Sequence, residues 1–218
     1  MATYEDAIGA FRSGATGLAE ALTLGLLAQA REDGDLAGQV AAMCMLARVA
    51  LRRGDLDHVG ALAAEARGVA RRTGERRLER MPIHMQAVAT RMRGAYSEAR
   101  ILHQESIELN VQLGEERMVA VEHRNLAYVE LHDGQADRAR ELSLSAADEA
   151  RALAYDALEP YLLLDAAVIA FESGDSARAA ELIAAMRAAV AGAGQIPDPD
   201  DAAEQEMLEE RLFRMGSR

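Results

Sequence analysis

The sequence has no lysine, no tryptophan, one cysteine and few aromatics, 4% of its 218 residues. Each absence excludes something. Without lysine there is no Schiff-base amine, no pyridoxal-phosphate anchor and no Walker-type phosphate loop, because all three need the lysine amine. A lone Cys44 rules out an intrachain disulfide and a thiolate zinc cluster. Valine and isoleucine are scattered and do not fall in alternating runs, so strands find little support. Long apolar runs are missing as well. No window approaches the roughly 18 residues of a membrane span, and even Leu18–Ala30 is broken by Glu20, Thr23 and Gln29. Met1, Ala2, Thr3, Tyr4, Glu5 and Asp6 lack the basic-then-apolar order of a signal peptide, so a soluble, cytoplasmic chain is expected.

Alanine and leucine dominate what is there, 46 and 26 residues, and both are strong helix formers. All 24 basic residues are arginine, against 36 acidic ones, for a net charge of −12. That balance argues against general nucleic-acid binding, whose affinity comes mostly from neutralising phosphates.

A 40-residue period runs through the chain. Gly14, Gly54, Gly94, Gly134 and Gly174 are each 40 residues apart. Seven residues before each stands Ala7, Ala47, Ala87, Ala127 and Ala167. Five after each comes Ala19, Val59, Ala99, Ala139 and Ala179, and eight after comes Leu22, Leu62, Leu102, Leu142 and Leu182. Glycine at a fixed place after an apolar-periodic helix suits a left-handed cap. Small alanine upstream lets a neighbouring helix approach, and leucine downstream fills the space between the pair. Each unit therefore reads as a helix A ending near the glycine, then a helix B. Pro82 and Pro160 fall where the third and fifth A helices begin, and Gly74, Gly114 and Gly194 mark the ends of B helices, with Ala154 in the fourth copy. The pattern predicts helices near 2–12, 17–31, 36–52, 56–72, 78–92, 95–113, 116–132, 135–153, 158–172 and 175–191. Residues 192–200 read as a flexible, helix-breaking linker, and 201–218 as a capping helix whose Met207, Leu208, Leu212 and Met215 form an apolar stripe.

A helix pair with small residues at its packing points and Gly-Asp at the turn (Gly54-Asp55, Gly174-Asp175) resembles the tetratricopeptide repeat. The 40-residue unit is closest to the long variety of MalT-type regulator sensor regions and kinesin light chains. The resemblance covers residues 1 to about 191. Departures are Met43, Ile83, His123 and Leu163 in place of the usual aromatic in helix A, a short first A helix, and Ala95 and Gln135 after the repeat glycine. It implies an all-α, right-handed solenoid of five helix pairs that binds protein or peptide on a concave face lined by A helices, with no chemistry and no cofactor.

If that geometry holds, the groove positions include Cys44, Arg48 and Arg52 in the second unit and His84, Val88 and Arg91 in the third. In the fourth they include Arg124, Tyr128 and His132, and in the fifth Leu164 and Val168. Arginine suits bidentate capture of carboxylates. Two readings stand: a groove for an acidic peptide or a C-terminal carboxylate, and structural pairing with Glu and Asp of adjacent helices. A second basic cluster, Arg67, Arg71, Arg72, Arg76, Arg77 and Arg80, fits an acidic partner, the acidic tail of another protomer, or a solvated helix end. Leu22, Leu24, Leu26 and Leu27 suggest a homodimer through the terminal helices. The histidines show no i, i+4 pair, so no metal site is read. The function expected is a non-catalytic scaffold or adaptor for a protein or peptide, with a ligand-sensing regulatory module as the alternative.

Overall fold

The structure is a computed structural model describing residues 3–216, whose regular elements are all helical. Five pairs run in order: α1 (Tyr4–Arg12) with α2 (Thr16–Glu32), α3 (Leu36–Arg52) with α4 (Leu56–Thr73), α5 (Arg80–Met92) with α6 (Tyr96–Gln112), α7 (Glu116–His132) with α8 (Ala136–Ala152), and α9 (Glu159–Glu172) with α10 (Ser176–Gly192). Short 3-10 turns at Arg76–Glu79 and Asp156–Leu158 lead into α5 and α9, and α11 (Pro199–Gly216) ends the chain. The observed boundaries lie within about two residues of those read from the repeat. The last helix starts two residues early, at Pro199, because proline lacks only an N–H that the first turn does not use.

The turns explain the period. In each Schellman-type ending a residue with positive φ closes the helix, and the next residue donates back five positions, as Asp55 N does to the Ala50 carbonyl at 3.0 Å. That same next residue is the N-cap of the following helix, except after Gly194, where Gln195 is followed by a stretch before α11 begins at Pro199. Asp35, Asp55 and Asp175 accept from the backbone N–H of Gly38, His58 and Arg178. One Gly-Asp step thus ends one helix and starts the next. Where Ala95 and Gln135 replace the acid, the side-chain cap is lost and the turn geometry stays. Gly34 belongs to the same series, and Ala154 takes the conformation at φ 47° without being glycine.

The alanine columns lie inside: Ala7, Ala47, Ala87 and Ala167 have no exposed surface. Each helix packs on the next, and the A helices of successive repeats also touch, α1 with α3, α3 with α5 and α5 with α7. The A helices therefore form the inner, concave layer. Apolar side chains from α3, α4 and α5 make the largest core, with satellite cores in the first, fourth and fifth pairs. On α2, Leu27 is buried and Leu22 packs on the first-pair core, while Leu24 and Leu18 are exposed. No helix among the described residues is long and apolar enough to cross a membrane.

α11 does more than cover the last repeat. Leu208 and Leu212 pack on α9 and α10, whereas Met207 and Met215 are exposed. Its first turns run into the concave layer and reach α3. Residues 193–198, which join it to α10, cross to the first repeat, where Ile196 N donates to the Arg12 carbonyl at 3.0 Å.

Candidate functional site

Helical spacing from the repeat glycine puts one arginine on the inner face of each of three consecutive A helices: Arg48 on α3, Arg91 on α5 and Arg124 on α7. The acidic start of α11 meets all three. Arg48 is 2.6 Å from Asp198, Arg91 pairs with Glu204 and lies 3.4 Å from Asp200, and Arg124 is 2.6 Å from Asp201. His132 Nε2 lies 2.9 Å from Glu204. Arg91 and Arg124 are each 3% exposed, so their contacts are desolvated and losing one partner would strand a buried charge, whereas the Arg48–Asp198 pair is partly solvated.

Arg124 also holds the neighbouring repeat. Its Nε donates to both oxygens of Asp165 on α9, at 3.0 and 2.9 Å, and the Tyr128 hydroxyl donates to the same carboxylate at 2.7 Å. Arg91 and Arg124 both lie over the Tyr128 ring. Burial works against the Arg124 charge, but Asp165 and Asp201 outweigh it and hold the guanidinium protonated. Five carboxylates (Asp165, Asp198, Asp200, Asp201 and Glu204) thus face three guanidiniums and His132. The excess is visible at Asp201: burial, then the neighbouring Asp200 and Asp198, push its carboxyl up to about 8 against the pull of Arg124.

The other positions expected in the groove divide. Arg52 stacks on Phe11 beside Arg48 and has no carboxylate partner. Cys44 is buried in the α3–α5 core with its thiol pushed up to about 12 by burial, which makes it unreactive. Leu164 is fully buried in the last core, and Val168 packs partly buried against it. Val88 is buried and borders a cavity described below. His84 turns toward Glu122 at 2.9 Å, which it shares with His103 at 2.7 Å and the Ser106 hydroxyl at 2.7 Å. Burial alone would raise Glu122, yet His84 and His103 drive it well below the ordinary carboxylate range. Burial pulls His84 down too, and the Glu122 charge more than compensates. This network was missed in the sequence, although His84 and Glu122 stand 38 residues apart, close to one repeat, which is the signal that faces them.

The second basic cluster pairs within the chain. Arg67 meets Glu105, Gln86 and Glu79, Arg71 meets Glu79, Arg76 meets Gln112, and Arg77 and Arg80 both meet Glu115. Arg72 is exposed. The acidic tail lies on the groove arginines, away from this cluster.

Between the A helices and the start of α11 lies a cavity of about 270 Å³. The A helices line it with Met81, Met85, Val88 and Met118 together with Arg48, His84 and Arg124, and Asp198, Pro199, Asp200 and Asp201 border it on the α11 side. No group of His, Cys, Asp and Glu suited to a metal ion occurs among the described residues.

BtubC (BKLC) from P. vanneervenii is similar at a TM-score of 0.62 and 18% identity, over 91% of this chain and 89% of that one. The apo form of RapI is similar at 0.60 and 13% identity, over 96% of this chain and 58% of that one. The fold is a TPR-like helical repeat. Scans against protein-family models and curated protein sequences give no match. At these identities the likeness of the TPR-like repeat to both structures is one of fold.

Proposed function

We propose that the chain is a non-catalytic, cytoplasmic scaffold whose concave groove takes an acidic helical segment of a protein partner. One observation carries this reading: the groove already holds such a segment in cis, Asp198–Glu204, seated on Arg48, Arg91 and Arg124. A partner presenting carboxylates at a helix start competes for the same arginines. Nucleic acid and membrane surfaces do not suit a chain of net charge −12.

The test uses a fluorescent peptide of residues 196–212 and full-length chains. Asp198→Asn and Glu204→Gln together loosen the cis segment, and this variant binds the peptide more tightly than the native chain does. Adding Arg48→Glu weakens that binding. Equal anisotropy for native and loosened chains, with unchanged circular dichroism, overturns the reading.

A second reading, a sensing module of the kind found in MalT-type regulators, is favoured by the cavity of about 270 Å³ beside the segment. A ligand there stands against both the A helices and α11, so its binding bears on whether the groove is open.

A further inference from the structure

Charge is unevenly shared along the seated segment. At the α5–α7 end, Arg91 and Arg124 meet four carboxylates, Asp165, Asp200, Asp201 and Glu204, with His132 beside them. At the α3 end the balance reverses. Arg48 and Arg52, one helical turn apart, lie over the Phe11 ring at 4.6 and 4.1 Å. Among the described residues this pair has one carboxylate partner, Asp198, which bonds to Arg48. Arg52 Nε and Nη2 are buried and have no hydrogen-bond partner. The ring takes up part of the charge but accepts no hydrogen bond of ordinary strength, so these donors stay unmade at a cost. The acidities agree. Against burial, carboxylates hold Arg91 and Arg124 above the ordinary guanidinium range. Burial pulls Arg52 below it, with Asp198 opposing and Arg48 adding to the fall.

The returning segment brackets Arg52 without bonding to it. Ile196 N donates to the carbonyl of Arg12, next to Phe11, and Asp198 takes Arg48, one turn before Arg52. A group at the Asp198 position is therefore close to both guanidiniums, and the single carboxylate there satisfies one. A phosphate ester brings three acceptor oxygens and roughly two negative charges, enough for both. We propose that this end of the groove is a phosphate site, and that the partner segment carries a phosphoserine where the cis segment carries Asp198. A cation or an apolar group leaves the Arg52 donors unmet. Because the phosphoserine enters as part of an acidic segment, this site rests on the scaffold reading, and it adds that phosphorylation of the partner switches binding on.

The test uses the full-length Asp198→Asn, Glu204→Gln chain and three fluorescent peptides of residues 196–212. These are the native peptide, one with Asp198→Ser, and the latter phosphorylated on its new hydroxyl. Anisotropy is expected to show the phosphorylated peptide binding about tenfold tighter than the native one, the size of one hydrogen bond to a charged group. With Arg52→Leu added the two bind alike, whereas Arg72→Leu, at an exposed site outside the groove, keeps the difference. Circular dichroism stays native in both. A gain that survives Arg52→Leu, or that Arg72→Leu abolishes equally, overturns the site. A Pro197→Glu peptide that gains as much overturns the phosphate in favour of a second carboxylate. Inorganic phosphate binding as tightly as the phosphopeptide overturns the partner as its source. Equal binding of phosphorylated and native peptides overturns the phosphate site and leaves the scaffold reading standing. If no peptide binds, both fall.

Discussion

Ala154 is the non-glycine at a position where the rest of the series carries glycine. Its φ of 47° brings Cβ toward the following carbonyl, which costs an L residue about 1–2 kcal/mol, partly offset by the greater freedom glycine has when unfolded. Ala154→Gly is therefore expected to stabilise the chain by about 0.5–1 kcal/mol, read as a higher denaturant midpoint at constant slope. A lower midpoint refutes the strain. Arg124 is the opposite case, a residue whose removal hurts through what it leaves behind. Arg124→Met strands Asp165 and Asp201 in a buried place and is expected to cost about 3–5 kcal/mol, whereas replacing Asp165 by Leu in the same chain recovers part of it. If the double variant recovers nothing relative to Arg124→Met, the stranded Asp165 carboxylate is not the source of the cost.

At the scale of the element, α11 is held by charges whose protonation matters. Asp201, raised from 3.8 to about 8, binds its proton more tightly when seated than when released. A group raised in this way contributes stability that is fully present below its released value and is lost as pH rises through the seated one. The seating of α11 thus weakens from about pH 4 through pH 8. Hydrogen exchange at residues 199–206 is expected to show less protection at pH 9 than at pH 6 after correction for intrinsic rates. In Asp201→Asn that slope flattens, and an unchanged slope rules Asp201 out as its source. This helix also marks how far the sequence was legible. The five pairs and their turns were readable because each repeat meets its neighbours in one register, so the glycine, alanine and leucine columns carry the packing directly. The inner arginines were readable for the same reason, as fixed offsets from the glycine. What sits on them was not. Arg48 and Asp198 are 150 residues apart and Arg91 and Glu204 are 113 apart, and a tail outside the repeat has no period to report its place. Pairs between adjacent repeats lay in between: Arg124 with Asp165 at 41 residues and Tyr128 with Asp165 at 37 follow the period, a signal present but not used.

At the scale of the whole molecule, a solenoid is ordinarily a one-dimensional stack, stable as the sum of its repeats and their nearest-neighbour interfaces. Its ends then fray independently, because nothing joins the first repeat to the last. Here the chain after α10 returns across the concave layer to Arg12 in the first repeat, then to Arg48 in the second and Arg91 in the third, before α11 packs on the fifth. These contacts connect elements that nearest-neighbour stacking leaves uncoupled, so the first pair gains protection from the last. In the native chain, amides of α1 are expected to exchange with a free energy close to that of α10. With Asp198→Asn and Glu204→Gln the tie is cut, and α1 becomes the first element to open while the α3–α5 core, the largest in the molecule, keeps its protection. If α1 exchanges no faster in that variant, the returning segment lies on the groove without joining the ends of the solenoid. If α1 and the central core lose protection together, the tie supports the whole array and not its first repeat alone.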